Sequence, residues 1–318
     1  MIPRLRSFLK RVPEVRIALV LAVFAAAMFA WNPRFLSGDT INTVLLYLFG
    51  YAIMACGMTV LLVSGGFDLS VGAVSALAAM VAAVLMKDPG LHVPWPVAVL
   101  AGLATGATVG LLNGVVVARL GINPFITTLA TMLLARGLTL VVSGGVLRAG
   151  FERQFCWLGQ HKVAGLVQMP IIVSLALVFV ADLLLRKSRF FRQNYYVGGN
   201  EHAAWLSGIA VTRLKILNYG LSGTLAALAG VLLCARLDTA TPSAGDGDEL
   251  KVITAVIIGG ASLSGGKGTV LGAFLGCLLL AMIRPAISFL AIEDHWEKAI
   301  IGGMLLLAVL LDRIGKRW

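Results

Sequence analysis

Ten apolar runs, separated by short polar segments, restrict the folds open to this chain. They cover residues 17–31, 41–63, 69–86, 96–118, 124–142, 169–185, 216–235, 251–263, 268–292 and 297–311. Charged residues make up 13% of the chain, against roughly 25% in soluble domains. Such runs predict membrane-spanning helices, because a helix satisfies its own backbone hydrogen bonds in lipid. We therefore expect an all-α integral membrane protein with about ten transmembrane helices.

The polar segments between the runs are too short for a separate soluble domain. The longest cover Gly144 to Gln168 and Arg186 to Lys215. We therefore expect one transmembrane domain across residues 1–318. Several apolar runs fall short of the roughly 20 residues that a full crossing needs. Some helices should therefore be tilted, broken or re-entrant.

An octet in the first half of the chain returns in the second half. Gly65-Gly66-Phe67-Asp68-Leu69-Ser70-Val71-Gly72 reappears as Gly259-Gly260-Ala261-Ser262-Leu263-Ser264-Gly265-Gly266, with five of the eight positions identical. Chance similarity among common residues is one explanation. The other is an internal repeat, since membrane transporters are often built from repeats whose interrupted helices meet around the substrate. The octet thus favours a transporter with broken helices.

Basic residues are concentrated in three regions. Arg4, Arg6, Lys10, Arg11 and Arg16 precede the first run, Arg186, Lys187, Arg189, Arg192, Arg213 and Lys215 lie in one loop, and Arg313, Lys316 and Arg317 end the chain. The positive-inside rule predicts a cytoplasmic tail at 1–16, a cytoplasmic loop at 186–215 and a cytoplasmic tail at 312–318. The acidic segment from Asp238 to Glu249 should lie outside. The net charge of +11 does not indicate a nucleic-acid partner, because no basic stripe contains interleaved aromatic residues.

The four cysteines give no sign of a disulfide or a metal site. Cys56, Cys234 and Cys277 lie within apolar runs, and Cys156 lies in a polar segment. Their spacing matches neither a paired framework nor a set of metal ligands. We therefore expect buried, small side chains and no bound metal.

Glycines recur every four residues in two of the runs. They are Gly102, Gly106, Gly110 and Gly114 in one, and Gly268, Gly272 and Gly276 in the other. This spacing places small residues on one helical face, where two backbones can approach closely. We predict packing seams at these glycines and not substrate contacts.

A short helix is predicted inside the loop at 186–215. Asn200 can cap it, Glu201 complements the positive end of its dipole, and Gly208 suits its end. A helix of about two turns has little reason to form unless it packs on something. This protein's own inner surface and a partner protein are both open as that surface. The candidate residues are Gly199, Asn200, Glu201, His202, Ala203, Ala204, Trp205, Ser207 and Gly208.

Several longer motifs occur in order between about residue 40 and residue 280. They are Gly57-Met58-Thr59, the segment from Ser64 to Gly72, Asn113-Gly114, Gly121-Ile122-Asn123-Pro124-Phe125-Ile126-Thr127-Thr128-Leu129, Gly199-Asn200-Glu201 with Ala203-Ala204 and Ser207-Gly208-Ile209, and Gly259-Gly260 with Leu263-Ser264-Gly265-Gly266. In this combination the chain resembles the membrane permeases of ribose-type sugar importers driven by ATP-binding cassette (ABC) subunits. The resemblance is specific to the family and not to one sugar.

The resemblance implies a permease of the bacterial inner membrane that moves a simple sugar by alternating access. It implies three protein partners. A second copy or a related permease lies beside it in the lipid membrane, a sugar-binding protein lies in the periplasm, and an ATPase subunit that uses ATP and Mg²⁺ lies in the cytoplasm. It also implies that the segment from Gly199 to Ile209 is the coupling helix that docks on the ATPase. This chain has no Gly-x-x-x-x-Gly-Lys-[Ser/Thr] motif, so we expect it to bind no cofactor and to be no enzyme.

Polar residues within apolar runs are costly in a membrane and mark candidate functional positions. Asp68 lies in the glycine-rich turn of the first octet. It could neutralise a charge, bind exposed backbone N–H groups, or cap a helix that begins at Leu69. Its counterpart Ser262 can also cap, which favours capping. Ser70 and Ser264 match between the octets and could act in the same way.

A second polar series spans the fourth and fifth runs and the segment between them. It consists of Asn113, Asn123, Thr127, Thr128, Thr131 and Arg136. Thr127, Thr131 and Arg136 approximate one helical face, which could line a path for sugar hydroxyl groups. Hydrogen bonds between packed helices explain the same residues equally well. Arg136 needs a partner at membrane depth, which the sequence does not identify.

Two other functions are open at this point. An ABC permease for branched-chain amino acids or nucleosides shares a similar layout, although the Asp68-Leu69-Ser70-Val71-Gly72 element is typical of the sugar branch. An ion-coupled secondary transporter is favoured by the repeat and by Asp68 and Arg136, and it would need no ATPase. The sequence prediction is the sugar permease.

Overall fold

The fold is seen in a computed structural model that describes residues 13–88 and 91–315. Parts of the two predicted cytoplasmic tails, residues 1–12 and 316–318, lie outside the described residues. The predictions for Arg4, Arg6, Lys10, Arg11, Lys316 and Arg317 therefore concern positions that the structure does not describe.

The described part of the chain is almost entirely helical, which confirms the all-α prediction. Its helices are α1 (Pro13–Trp31), a short 3-10 helix (Pro33–Leu36), α2 (Gly38–Val63), α3 (Val71–Lys87), α4 (Trp95–Ala118), α5 (Pro124–Ser143), α6 (Arg153–Gln160), α7 (Met169–Lys187), α8 (Arg189–Gly199), α9 (Glu201–Leu206), α10 (Val211–Leu237), α11 (Asp248–Ile258), α12 (Val270–Phe289) and α13 (Trp296–Gly315). Each predicted apolar run corresponds to one of them.

Seven of the described helices are long and apolar enough to cross a membrane. They are α1, α2, α4, α5, α7, α10 and α12. In contrast, α3 has 17 residues and α11 has 11. These two short helices each adjoin one of the glycine-rich octets, so the expected broken segments lie where the repeat predicts them.

Two small antiparallel sheets occupy the polar segments near the far ends of α5 and α10. One pairs β1 (Arg148–Ala149) with β4 (Thr239–Ala240), and the other is a hairpin of β2 (Lys162–Val163) and β3 (Val167–Gln168). Asp238 supports the first sheet, because its Oδ1 accepts a hydrogen bond from the backbone N–H of Phe151 at 2.7 Å. The segment between α5 and α7 is therefore tied to the end of α10.

The α10 helix lies at the centre of the bundle and packs against α2, α3 and α4. Glycines permit its close approach to α4. A β-carbon at Gly106 would overlap the carbonyl oxygen of Gly223, and one at Gly110 would overlap that of Tyr219. In the same way, Gly276 of α12 lies against the backbone of α11. These contacts confirm the predicted packing seams, except that Gly268 precedes α12 with a φ of +143° and is not part of its helical face.

Polar contacts show which helix ends lie together at one end of the bundle. At one end, Glu14 at the start of α1 accepts hydrogen bonds from Arg186 of α7 at 2.8 Å and from Thr269 before α12 at 2.9 Å. Asp312 of α13 lies at this end too, 3.4 Å from the Oγ of Ser262. We name it the basic end, because α8, which carries Arg189 and Arg192, and the short helix α9 lie there. The first turn of α1 and the last turn of α13 therefore both lie at the basic end of the bundle.

The cysteines are buried, as predicted. Cys156 lies on α6, outside the seven long apolar helices, with its Sγ 3.2 Å from Oδ1 of Asp238. Burial, reinforced by the Asp238 carboxylate, raises the pKa of the Cys156 thiol to about 11. The group is therefore a neutral thiol near pH 7.

Candidate functional site

The first octet forms a break between α2 and α3. The chain ends α2 at Val63, turns at Gly65 with a φ of +83°, and enters α3 at Val71. Within the turn, Asp68 is only 1% exposed. Its Oδ1 accepts hydrogen bonds from the backbone N–H of Ser70 at 2.8 Å and from the Ser70 hydroxyl at 2.5 Å.

Asp68 therefore does not have the capping role that the sequence favoured. The helix begins at Val71 and not at Leu69, and its N-cap is Ser70, which makes no side-chain cap hydrogen bond. Aspartate readily accepts a bond from the N–H two residues further on, and this local bond competes with capping. Asp68 closes the turn before the helix, which corresponds to the alternative of binding an exposed backbone N–H.

The second octet repeats this turn. The backbone N–H of Ser264 donates to the Ser262 Oγ at 3.3 Å, as that of Ser70 donates to Asp68. The helix ends before the two turns also share a pattern of backbone bonds. These are Gly65 N to Leu62 O and Gly66 N to Leu61 O in the first break, and Gly260 N to Ile257 O and Ala261 N to Val256 O in the second. The same two bonds therefore close both helix ends, although those of the second break lie one residue further along the octet than those of the first.

Four of the predicted pathway residues are brought together around the first break. From Ser70, the contacts continue to Asn113 on α4, whose Nδ2 donates to the Ser70 Oγ at 3.2 Å. Thr131 on α5 then donates to Oδ1 of Asn113 at 2.6 Å. We call Asp68, Ser70, Asn113 and Thr131 the buried polar chain. It connects the break to α4 and α5 through hydrogen bonds.

Two residues of α10 that the sequence did not single out complete this site. Ser222 lies with its Oγ 3.5 Å from Oδ2 of Asp68. The hydroxyl of Tyr219 donates to the carbonyl oxygen of Phe67 at 3.1 Å. Both side chains are buried. They lie in an ordinary apolar run, so only their contacts across the fold reveal them.

Four other predicted pathway residues lie outside the buried polar chain. Asn123 is exposed and caps α5, accepting from the N–H of Phe125 at 2.8 Å. Thr128 is buried and donates to the carbonyl of Pro124 in its own helix. Thr127 is buried, and its hydroxyl has no hydrogen-bond partner among the described residues. Ser264 in the second break is exposed. These residues do not join the buried polar chain.

Arg136 has the partner that the sequence could not identify. Its guanidinium donates to the carbonyl oxygens of Ala244, at 2.5 Å, and Pro242, at 3.4 Å. These carbonyls lie in the turns before α11. Arg136 therefore holds the entry to the short helix α11 against α5 by charge-assisted hydrogen bonds.

The predicted short helix is present as α9, from Glu201 to Leu206. The Asn200 side chain caps it by accepting from the N–H of Ala203 at 3.0 Å. Gly208 follows the helix with a φ of +83°, which glycine adopts without steric cost. Glu201 forms an ion pair with Lys215 of α10 at 2.6 Å. Gly199 ends the preceding helix α8, so the predicted segment is a helix junction followed by α9.

The two faces of α9 differ. Ala204 is buried against Val197 and Leu214, so the helix packs on its own protein as one alternative required. Trp205 and Leu206 are 61% and 68% exposed. Large apolar side chains that a short helix leaves in contact with solvent are typical of an interaction surface. The other alternative, a partner protein, is therefore also supported.

A groove adjoins the exposed face of α9. It has a volume of about 730 Å³ and is lined in part by Trp205, Arg119 and Arg213. The ring of Trp205 stacks with that of His202, with 6.0 Å between centroids. Ser207 is exposed, and its hydroxyl donates to the carbonyl oxygen of Ala203. The surface thus combines aromatic and basic groups.

Broken, repeated helices in a multi-spanning bundle, with an exposed helix at one end, define a membrane permease. A family model described as "Branched-chain amino acid transport system / permease component" matches residues 40–309. The chain belongs to this family.

The similar proteins are import permeases. The chain is 39% identical over 303 residues to the ribose import permease protein RbsC of Escherichia coli K12, covering 94% of this chain and 93% of that protein. It is 40% identical over 287 residues to RbsC of Bacillus subtilis 168, covering 89% and 87%. It is 35% identical over 324 residues to the galactose/methyl galactoside import permease protein MglC of Salmonella typhimurium LT2, covering 97% and 96%. No solved structure matches the chain.

Proposed function

We propose that this chain is the permease subunit of an ATP-binding-cassette importer that carries a monosaccharide, such as a ribose-like pentose, across the inner membrane. The observation that carries the proposal is the similarity, over nearly the whole chain, to proteins named as ribose and galactose import permeases. ATP hydrolysis is assigned to a separate cytoplasmic subunit that uses Mg²⁺. A periplasmic sugar-binding protein delivers the substrate, and a second copy or a related permease completes the assembly.

The exposed helix α9 supports the assignment of an ATPase partner. Its Trp205 and Leu206 project from the basic end, next to a groove with Arg119 and Arg213. Aromatic and arginine side chains are enriched where interfaces gain most of their binding energy. We assign Gly199 to Gly208 to contact with the ATPase.

The buried polar chain supports a polyhydroxylated substrate. Ser70, Asn113 and Thr131 offer hydroxyl and amide groups that exchange hydrogen bonds among themselves. A transport path needs such replaceable bonds, because the substrate must also leave. We assign the residues at the first break to the translocation path, with the break opening and closing during alternating access.

A branched-chain amino acid is the second candidate substrate, because the family description names it. A zwitterion needs groups that match both an ammonium and a carboxylate. The described partners of Asp68 are hydroxyl and backbone N–H groups, which suit hydroxyl chemistry better. The similarity to sugar permeases and this chemistry together favour the monosaccharide.

We assign the basic end to the cytoplasm, and with it both termini. Arg186, Arg189, Arg192, Arg213 and Lys215 lie in the segment from the end of α7 to the start of α10. The positive-inside rule places such a segment in the cytoplasm. Labelling of single cysteines introduced at Arg192 and at Lys162 tests this, since a membrane-impermeant maleimide added outside intact cells should reach only position 162.

The function is tested by affinity purification followed by transport. The tagged permease is purified from its native membrane with the proteins that accompany it, and the complex is placed in proteoliposomes. We expect an ATPase subunit at near-stoichiometric amount, and ATP hydrolysis that D-ribose or D-galactose, delivered by the binding protein, stimulates more than L-leucine does. Stimulation by leucine alone would select the amino acid. Transport driven by an ion gradient without ATP would contradict the proposal.

A further inference from the structure

The two breaks meet each other at the basic end. The carbonyl oxygen of Val63, the last residue of α2, accepts a hydrogen bond from the backbone N–H of Gly266 in the second break at 2.9 Å. Gly268, two residues further on, also lies close, since a β-carbon there would be 3.1 Å from a methyl carbon of Val63. The two members of the repeat, far apart in sequence, thus share a direct backbone contact.

The end of α8 is seated on this contact. A β-carbon at Gly198 would overlap the carbonyl oxygen of Val63 and would lie 2.6 Å from the nitrogen of Gly266. On the other side, a β-carbon at Gly265 would lie 2.7 Å from the Gly198 carbonyl oxygen. Only a residue without a side chain allows three backbones to meet here. We call Val63, Gly198 and Gly266 the break junction.

Two further contacts fix α8 in this position. The hydroxyl of Tyr195 donates to the carbonyl oxygen of Gly268 at 2.7 Å. The Nδ2 of Asn218 on α10 donates to Oδ1 of Asn194 at 2.7 Å, and both asparagines are buried. The last turn of α8 is therefore bonded to the second break and to the central helix.

The segment proposed to contact the ATPase begins directly after the junction. Gly199 follows Gly198, Asn200 caps α9, and no linker separates the two helices. A displacement of α9 must therefore move the end of α8. Because backbone atoms at van der Waals contact resist compression, this movement reaches Val63 and Gly266 without a side chain between them to absorb it.

We propose that Gly198 and Tyr195 are positioning residues through which α9 acts on both breaks at once. This inference rests on the proposed function, since it takes α9 as the contact to the ATPase. The first break carries Asp68 and Ser70 of the buried polar chain, and the second break is its counterpart in the repeat. One rigid seat on both lets a single docking event change the two broken segments together, which independent loops could not do.

The test measures sugar transported per ATP hydrolysed, with the complete complex in proteoliposomes. D-ribose is the probe, or D-galactose if it is the sugar that stimulates the unaltered complex. Gly198→Ala places a methyl group into the junction. Tyr195→Phe removes only the bond to Gly268. The matched control is Gly50→Ala on α2, where a β-carbon has no heavy atom within 4 Å.

We expect both junction variants to retain normal amounts of the ATPase on purification and to hydrolyse ATP, but to import less sugar per ATP. For Tyr195→Phe the ratio should fall roughly twofold to tenfold, equivalent to the loss of one hydrogen bond, and for Gly198→Ala it should fall further. The Gly50→Ala complex should keep the ratio of the unaltered protein. A merely structural role would lower transport and hydrolysis in proportion and leave the ratio unchanged.

Three results would overturn the inference. The first is an unchanged ratio in both junction variants, and the second is an equal fall in the control. The third applies if Gly198→Ala fails to accumulate in the membrane: an unchanged ratio in Tyr195→Phe alone then decides against it. Absence of sugar-stimulated hydrolysis by the unaltered complex would be a different failure, since it would remove the proposed function and this inference with it.

Discussion

Asp68 organises an irregular stretch of backbone inside an apolar protein. Its Oδ1 accepts two hydrogen bonds from Ser70, and its Oδ2 lies 3.5 Å from the Ser222 hydroxyl. Each donor would otherwise be buried without a partner, which costs about 1–3 kcal/mol. The side chain therefore stabilises the break by satisfying groups that no helix can satisfy there.

We predict that Asp68→Asn is tolerated better than Asp68→Leu. Asparagine keeps one acceptor oxygen for the two bonds from Ser70, whereas leucine leaves both donors buried and unpaired. The leucine variant should lose about 2–6 kcal/mol of folding free energy if both donors are orphaned, at about 1–3 kcal/mol each. Thermal unfolding of the purified variants in one detergent measures the stability, and uptake in cells measures transport.

The two measurements separate the possible roles of Asp68. If Asn retains stability and transport, the acceptor oxygen is what the site requires. If Asn is as stable as the natural residue but transports no better than Leu, the negative charge itself is needed, and the structural role argued above is not sufficient.

The sequence predicts all four members of the buried polar chain but not Tyr219 and Ser222, which contact it from α10. Asp68 and Asn113 stand out because a polar group in an apolar run needs a reason. Tyr219 and Ser222 do not, since a serine hydroxyl in a helix commonly bonds to its own backbone and a tyrosine packs readily through its apolar ring. Their partners lie more than a hundred residues away in the chain, and only the packing of α10 on the break brings them together.

At the scale of elements, α9 was predictable because its signals are local. The cap at Asn200, the acid at Glu201 and the glycine at position 208 act within one short segment. The sequence predicts the start of α3 two residues early, because the competing turn at Asp68 uses the same residue types as a cap. Local signals identify such elements and leave their boundaries to the wider fold.

We predict that inserting one glycine between Ala203 and Ala204 uncouples the complex, because it weakens the docking of the ATPase on α9 and so lowers ATP-driven import. The insertion rotates the residues after it by about 100° around the helix axis. Trp205 and Leu206 would leave the exposed face, while the Asn200 cap would stay in place. Loss of an aromatic anchor at an interface typically costs about 2 kcal/mol or more, so the affinity for the ATPase should fall roughly 30-fold, and less ATPase should be recovered with the permease.

The control for this insertion is a glycine placed between Ala164 and Gly165, in the turn of the β2–β3 hairpin at the opposite end. It lengthens an exposed turn and should leave recovery of the ATPase unchanged. Normal recovery and normal import by the α9 insertion would show that α9 packs only on its own protein.

At the scale of the whole molecule, the glycine seam between α4 and α10 supports the functional site as well as the bundle. Gly110 lies against the backbone of Tyr219, and the Tyr219 hydroxyl holds the carbonyl of Phe67 in the first break. The buried polar chain reaches α4 itself at Asn113. The distance between α4 and α10 therefore sets the space in which Asp68 is held.

The sequence predicted this seam from spacing alone, but not which helix faces it. Four glycines at intervals of four define a face of α4, and every apolar helix is a possible partner for such a face. The fold makes the choice: α10 packs on α2, α3 and α4, and it is the backbone of α10 that meets Gly106 and Gly110.

We predict that Gly110→Ala destabilises the protein, whereas Gly137→Ala on α5 does not. A β-carbon at Gly110 would overlap the carbonyl oxygen of Tyr219, but one at Gly137 has no heavy atom within 4 Å. Overpacking of this kind costs about 1–3 kcal/mol, while Gly→Ala in an open helical position gains up to about 1 kcal/mol from helix propensity. The variants are heated in detergent, and the fraction of protein that remains monodisperse ranks their stability.

Because the methyl group also pushes Tyr219 away from Phe67, Gly110→Ala should impair transport at temperatures where the protein is still folded. Equal stability of the two variants would mean that α4 and α10 can separate without cost, and that the seam does not hold the first break in place.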